Sequence, residues 1–274
     1  MIPISPLTSR RRSTSVTLLA CALAFYAIPA FAQAAPERQS DRAVKALLEQ
    51  IDVARDKFEG NLDGSLKDST IRNATGEIKV SAVLQDLQDN TKKLKERFTE
   101  DYSASAEVTT VLKQYTAVDG FMQRSTSVTK GRSEWDFLAS HLKSLAAIYG
   151  TTFPLPDTAV VRRMNDKETA AAADELANAA NQYKDGIDED KTLPKADKDA
   201  AKKSADDLNK AAKALKSRLS DSKPATAEMK SAVQAATTLG AFAATHPVAL
   251  AAAGATAVKT SLAKIEQSFG LPAR

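Results

Sequence analysis

Apolar positions recur every three and four residues along most of the chain, the period of a helix that buries one face. Leu47, Leu48, Ile51, Ala54 and Phe58 predict a first helix over 41–59. Leu84, Leu87, Thr91, Leu94 and Phe98 predict a second over 81–99. Val108, Val111, Leu112, Tyr115 and Val118 predict a third over 105–123. The stripe of Trp135, Leu138, Leu142, Leu145 and Tyr149 predicts a fourth over 134–149, and its aromatic ends point to a core face. Gly150 stands where a helix C-cap belongs, and Pro154 and Pro156 prevent continuation.

The pattern then starts again with more alanine. Asn165 with Glu168 three residues on resembles a capping box, and that helix should run to about Lys184. Pro194 opens the next helix, with Ala201, Ala205, Leu208, Ala212, Leu215 and Leu219 on one stripe. Two more begin near Pro224 and Pro247, the last ending at Gly270. Short connections imply antiparallel neighbours. Segment 61–80, with Asp63-Gly64, Asn73 and Gly76, reads as a long loop, and no convincing strand is expected. Its Asn73-Ala74-Thr75 matches a glycosylation sequon that a bacterial-type leader makes incidental.

The two runs align. At a spacing of 125 residues Ser40-Asp41-Arg42 meets Asn165-Asp166-Lys167, Ile51 meets Leu176, and Phe58 meets Tyr183. At 121, Leu87 meets Leu208, Leu94 meets Leu215, Arg97 meets Arg218, and Ala106-Glu107-Val108 meets Ala227-Glu228-Met229. At 120, Leu138, Leu142, Leu145 and Tyr149 meet Val258, Leu262, Ile265 and Phe269. The expected fold is all-α: two tandem, internally duplicated antiparallel four-helix units, 33–157 and an Ala-rich 158–274.

The first 32 residues read as a cleaved signal peptide. Arg10, Arg11 and Arg12 precede the charge-free stretch 16–30, and Ala30-Phe31-Ala32 supplies the cleavage pattern, so the exported chain should begin near Gln33. A lipobox reading of Leu18-Leu19-Ala20-Cys21 is disfavoured because apolar residues continue well past the cysteine. The location implied is periplasmic or secreted. Removing the leader takes away three arginines and no acid, so the net charge falls from +4 to +1 and gives no reason to expect a nucleic-acid partner. It also removes Cys21, the one cysteine, so neither a disulfide nor thiol chemistry is expected.

Hydrophobic residues make up 43% of the chain and aromatic ones 5%, a balance that favours helices over sheets. Of the two histidines, His141 adjoins a buried stripe and His246 precedes Pro247 in a turn, and neither has a partner at helical ligand spacing. Asp185, Asp188, Glu189 and Asp190 cluster without the order an EF-hand requires, and read as a solvated helix end. Met164 and His246 fall at opposite ends of their unit, which disfavours haem. Asp206-Asp207 lies on a Lys-rich solvated face, and no nucleophile elbow occurs. The uncharged stretch 232–258 is rich in alanine and threonine and broken at His246-Pro247, so no membrane span is expected.

No catalytic residue, metal ligand or cofactor site is therefore expected. The expected role is a non-enzymatic binding or scaffolding protein of the bacterial cell envelope, with another envelope protein or a small ligand as partner. A carrier holding a small molecule or lipid between helices is the alternative. An enzyme built on scattered carboxylates and His141 is a third, less expected reading.

Overall fold

The computed structural model describes residues 38–73, 76–125 and 130–271. The leader, Cys21 and the cleavage pattern lie outside the described residues. The elements in order are α1 (Asp41–Asn61), α2 (Gly64–Lys67), β1 (Thr70–Asn73), β2 (Gly76–Lys79), α3 (Val80–Arg97), α4 (Ser105–Arg124) and α5 (Arg132–Ile148). A second series follows: α6 (Asp166–Glu189), α7 (Lys195–Ser220), α8 (Thr226–Thr245), a 3-10 turn at Ala249–Ala251 and α9 (Ala252–Ser268). The protein is mostly helical, and the eight long helices among the described residues fall where the apolar spacing predicts them.

Segment 61–80 corrects the expectation of a strandless loop. It forms the short helix α2 and an antiparallel pair, β1 against β2, with Ile71 opposite Ile78. Ile71 is buried against the core, and that anchor holds two strands of four residues that carry too few side chains to show an alternation. Two residues of the sequon at Asn73 lie outside the described residues.

In the first series α1 packs on α3 and α5, and α4 packs on both α3 and α5, which closes a ring of four. In the second, α6 packs on α7 and α9, and α8 on both α7 and α9, in the same cyclic order. Polar pairs fix the directions. Arg97 pairs with Glu107 at 2.8 Å, while Asn90, earlier on α3, bonds Gln114, later on α4, at 3.2 Å. Lys184 pairs with Asp206 at 2.7 Å, and Asp174, earlier on α6, with Lys216, later on α7, at 2.8 Å. Both pairs of helices therefore run antiparallel. Exposed pairs of this kind add little stability each and serve as register marks.

Each ring encloses its own apolar cluster. The first is built from large side chains. Trp135 lies 5.2 Å from Phe58, and Tyr115 is completely buried with its hydroxyl 3.5 Å from Thr91. The Trp135–Tyr149 stripe is core, as the spacing predicts. The second cluster uses alanine, and close backbone approach replaces side-chain bulk. A Cβ on Gly254 would sit 2.4 Å from the Tyr183 nitrogen, and one on Gly186 2.4 Å from the Leu250 carbonyl oxygen. Glycine at these two places lets α9 and the 3-10 turn lie directly against α6.

Helices α5 and α9 end alike. Gly150 and Gly270 both have φ +70°, a left-handed conformation that glycine adopts without a Cβ clash. The Thr151 and Leu271 amides reach back to the Ala146 and Glu266 carbonyls at 3.0 and 2.9 Å, a Schellman closure in both cases.

Two outcomes follow for stability. Gly254→Ala forces backbone apart and should cost about 3 kcal/mol in urea unfolding, whereas the control Gly240→Ala, which meets open space inside α8, should gain up to about 1 kcal/mol. Burial pushes the Tyr115 phenol up to about 12, so unfolded chains ionise this group before folded ones do. The associated stability is present below pH ~10 and is lost as the pH rises toward 12, roughly 3 kcal/mol in all. Tyr115→Phe should flatten that part of the alkaline unfolding profile.

Candidate functional site

Helices α1 and α6 begin at the same place in the molecule, the seam between the two rings. Each start has a local cap. The Ser40 hydroxyl accepts from the Ala43 amide at 3.3 Å. Asn165 accepts from the Glu168 amide at 2.7 Å, and Glu168 accepts from the Asn165 amide at 2.9 Å, the capping box the sequence predicts.

Across the seam the two starts cap each other. The Asp166 carboxylate accepts from the Asp41 amide at 2.8 Å, and the Asp41 carboxylate from the Asp166 amide at 2.9 Å. Arginines three residues upstream complete the exchange. Arg38 pairs with Asp166 at 2.5 Å, and Arg163 with Asp41 at 2.6 Å. Arg38 also donates to the Met164 carbonyl at 3.0 Å, and Arg163 to the Gln39 carbonyl at 2.9 Å. Every one of these contacts joins residues 122 to 128 apart, and each has its reverse.

The cluster is electrostatically demanding. All four charged side chains are 4–6% exposed, and buried charges need close partners and hydrogen bonds to offset their lost hydration. The carboxylates have both, because each faces a helix N-terminus, where the peptide dipoles favour negative charge. The guanidiniums are less well served. Arg38 keeps an Nε–H without an acceptor among the described residues. Burial, and next the neighbouring Arg163, pull the Arg38 guanidinium below its ordinary value against the opposing pull of Asp166. Aromatic faces cover the outer sides: Arg38 lies 5.7 Å from the Phe269 ring centre and Arg163 5.7 Å from that of Phe98.

Beside this cluster opens a crevice of about 630 Å³. Arg38, Arg162 and Arg163 are its charged lining, and Leu47, Ile148 and Phe269 belong to its apolar lining. Helix α1, the ends of α5 and α9, and the segment before α6 all contribute, so both rings share it.

The residues weighed from sequence are placed elsewhere, apart from Met164, which lines the crevice. His141 is half-buried and lies 4.5 Å from the exposed ring of Phe137, beside a shallow groove between α1 and α5 that Val53 also lines. His246 ends α8, stacks on Phe242 at 4.5 Å and stands 4.0 Å from Asp197. Asp190 caps α6, and its carboxylate accepts from the Thr192 and Leu193 amides at 2.7 and 2.8 Å, while Asp188 pairs with Lys202. Asp206 and Asp207 pair with Lys184 and Lys203 on the surface. Among the described residues no group of three His, Cys, Asp or Glu is arranged to hold a metal, and no helix is long and apolar enough to cross a membrane.

The sequence aligns Asp41 with Asp166, but no helical pattern singles out Arg38 or Arg163. The signal was present, since the two arginines share the same 125-residue spacing. No protein-family model matches the chain, no curated protein matches it, and no solved structure matches its fold.

Removing one guanidinium strands a buried carboxylate. Arg38→Ala and Arg163→Ala should each lower the unfolding free energy by about 3–5 kcal/mol in urea titrations. The double variant should lose less than the sum, because the four groups form one network.

Proposed function

We propose that this chain is an exported, non-enzymatic helical binding protein of the bacterial cell envelope, and that it binds its ligand in the seam crevice. The crevice is the observation that carries the reading. It is concave, it draws residues from both rings, and its volume lies in the range that takes a small organic molecule. Its lining brings cations and apolar groups together, a combination suited to holding a ligand. Export rests on the Arg10–Arg12 leader pattern and on Ala30-Phe31-Ala32. A scaffolding role with a protein partner is the second reading, favoured by Val53 and Phe137, each 53% exposed on neighbouring helices.

The same proposal includes an internal duplication of a four-helix unit, 33–157 and 158–274. It is supported by the common ring order and by the reverse pairing at the seam. It is supported also by two ion pairs 121 residues apart, Arg97–Glu107 at 2.8 Å and Arg218–Glu228 at 3.3 Å.

Native mass spectrometry of protein taken from its own cell envelope under mild washing tests the binding reading. A discrete added mass below about 1 kDa, lost on partial unfolding, is the expected result. A bare monomer that crosslinks in cells to one envelope protein through Phe137 would replace it with the scaffolding role.

A further inference from the structure

The charge at the crevice does not cancel. Arg38, Arg162 and Arg163 all line it, and among the described residues its lining contains no carboxylate. Asp166 and Asp41 neutralise Arg38 and Arg163 at 2.5 and 2.6 Å from just behind that lining. Arg162 has no such partner. Its side chain is exposed and forms no ion pair among the described residues, while its amide is fixed to the Tyr149 carbonyl at 3.2 Å. Among the described residues the crevice therefore presents one uncompensated guanidinium, set beside two that are paired.

The rest of the lining mixes apolar groups with the uncharged polar side chains of Gln39, Gln50, Ser144, Gln267 and Ser268. Ala43, Ala46 and Leu47 on α1 face the same space as Ala147 and Ile148 at the end of α5, with Phe269 beyond α9. An ion that is polar all round would leave these groups in contact with charge. A wholly apolar ligand would bury Arg162 without a partner, at a cost.

We infer that the seam crevice takes a singly charged amphiphile, a carboxylate on an apolar body, with Arg162 as the residue that receives the carboxylate. The inference rests on the binding reading above and adds the ligand class to it. One net positive charge matches a carboxylate, whereas a phosphate monoester would bring a second negative charge with no cation left for it. The guanidinium fork accepts a carboxylate in a bidentate pair, and such charge-assisted bonds are the stronger kind. The apolar body then covers the half-buried Leu47 and Ile148, which contributes roughly 25 cal/mol per Å² removed from water.

Decanoate and decanol, titrated calorimetrically into the exported protein, separate charge from apolar contact. Decanoate should bind at least tenfold more tightly than decanol at low salt, and the difference should shrink as salt is added. Arg162→Ala, a surface change that leaves the buried pairs intact, should reduce decanoate affinity about tenfold and leave decanol unchanged. Ala46→Trp, which fills the crevice from an exposed position on α1, should abolish both. Equal affinities, or decanoate binding indifferent to Arg162→Ala, would overturn the carboxylate assignment; if Ala46→Trp still blocks both probes, the crevice itself stands as a binding site. Absence of binding by either probe also overturns the inference. The wider binding reading then stands or falls on whether the protein from its own envelope carries a bound mass.

Discussion

Two helix N-termini meet at the seam, and everything around it answers that fact. Each brings amides without intrahelical acceptors and the positive end of a peptide dipole. Two such ends pressed together in a dry place would repel and leave donors unmade. The sequence meets the problem with a carboxylate at the first position of each helix, turned toward the other helix. Asp41 and Asp166 each accept the amide of the opposite helix. Burying two carboxylates then requires two cations, which Arg38 and Arg163 supply from the incoming chain. Those arginines in turn need cover, and Phe269 and Phe98 provide it. The crevice is the space left where this chain of requirements reaches the surface.

The two rings reach similar arrangements by different packing. The first fills its interior with Trp135, Tyr115 and Phe58, so volume comes from side chains. The second brings backbones together, with Gly254 against Tyr183 and Gly186 against Leu250. Alanine-lined helices bury little area per residue, and close approach recovers dispersion contacts that bulky groups would supply elsewhere. The cost is intolerance: a single added methyl group at either glycine has nowhere to go.

Most of the helical framework is legible in the chain. The three-and-four spacing of Leu47–Phe58 and of Trp135–Tyr149 sets period and face together, and Asn165, Gly150 and Pro194 mark ends by local chemistry. The β1–β2 pair is not legible, because strands of four residues show no alternation and their main anchor, Ile71, is secured by tertiary packing. The seam is half legible. Asp41 and Asp166 read as ordinary first-turn acids, since nothing local says that each will leave its own helix and cap the other. Arg38 lies outside any periodic segment, so no helical pattern draws attention to it. The crevice has no sequence signal of its own, for a void is a property of how the ends of α1, α5 and α9 are spaced.

The reversal of contacts at the seam has a meaning beyond stability. A surface that carries both the aspartate and the arginine of such an exchange is complementary to a copy of itself. On the proposed duplication, a lone ancestral unit would therefore have met its twin across a two-fold axis, the isologous arrangement of most small homodimers. Joining two copies in one chain would turn that encounter into an intramolecular one and release each copy to change alone. Phe98 and Phe269, which cover the two arginines from positions that do not correspond, would then be the trace of that release: partners once bound to be identical, then free to specialise.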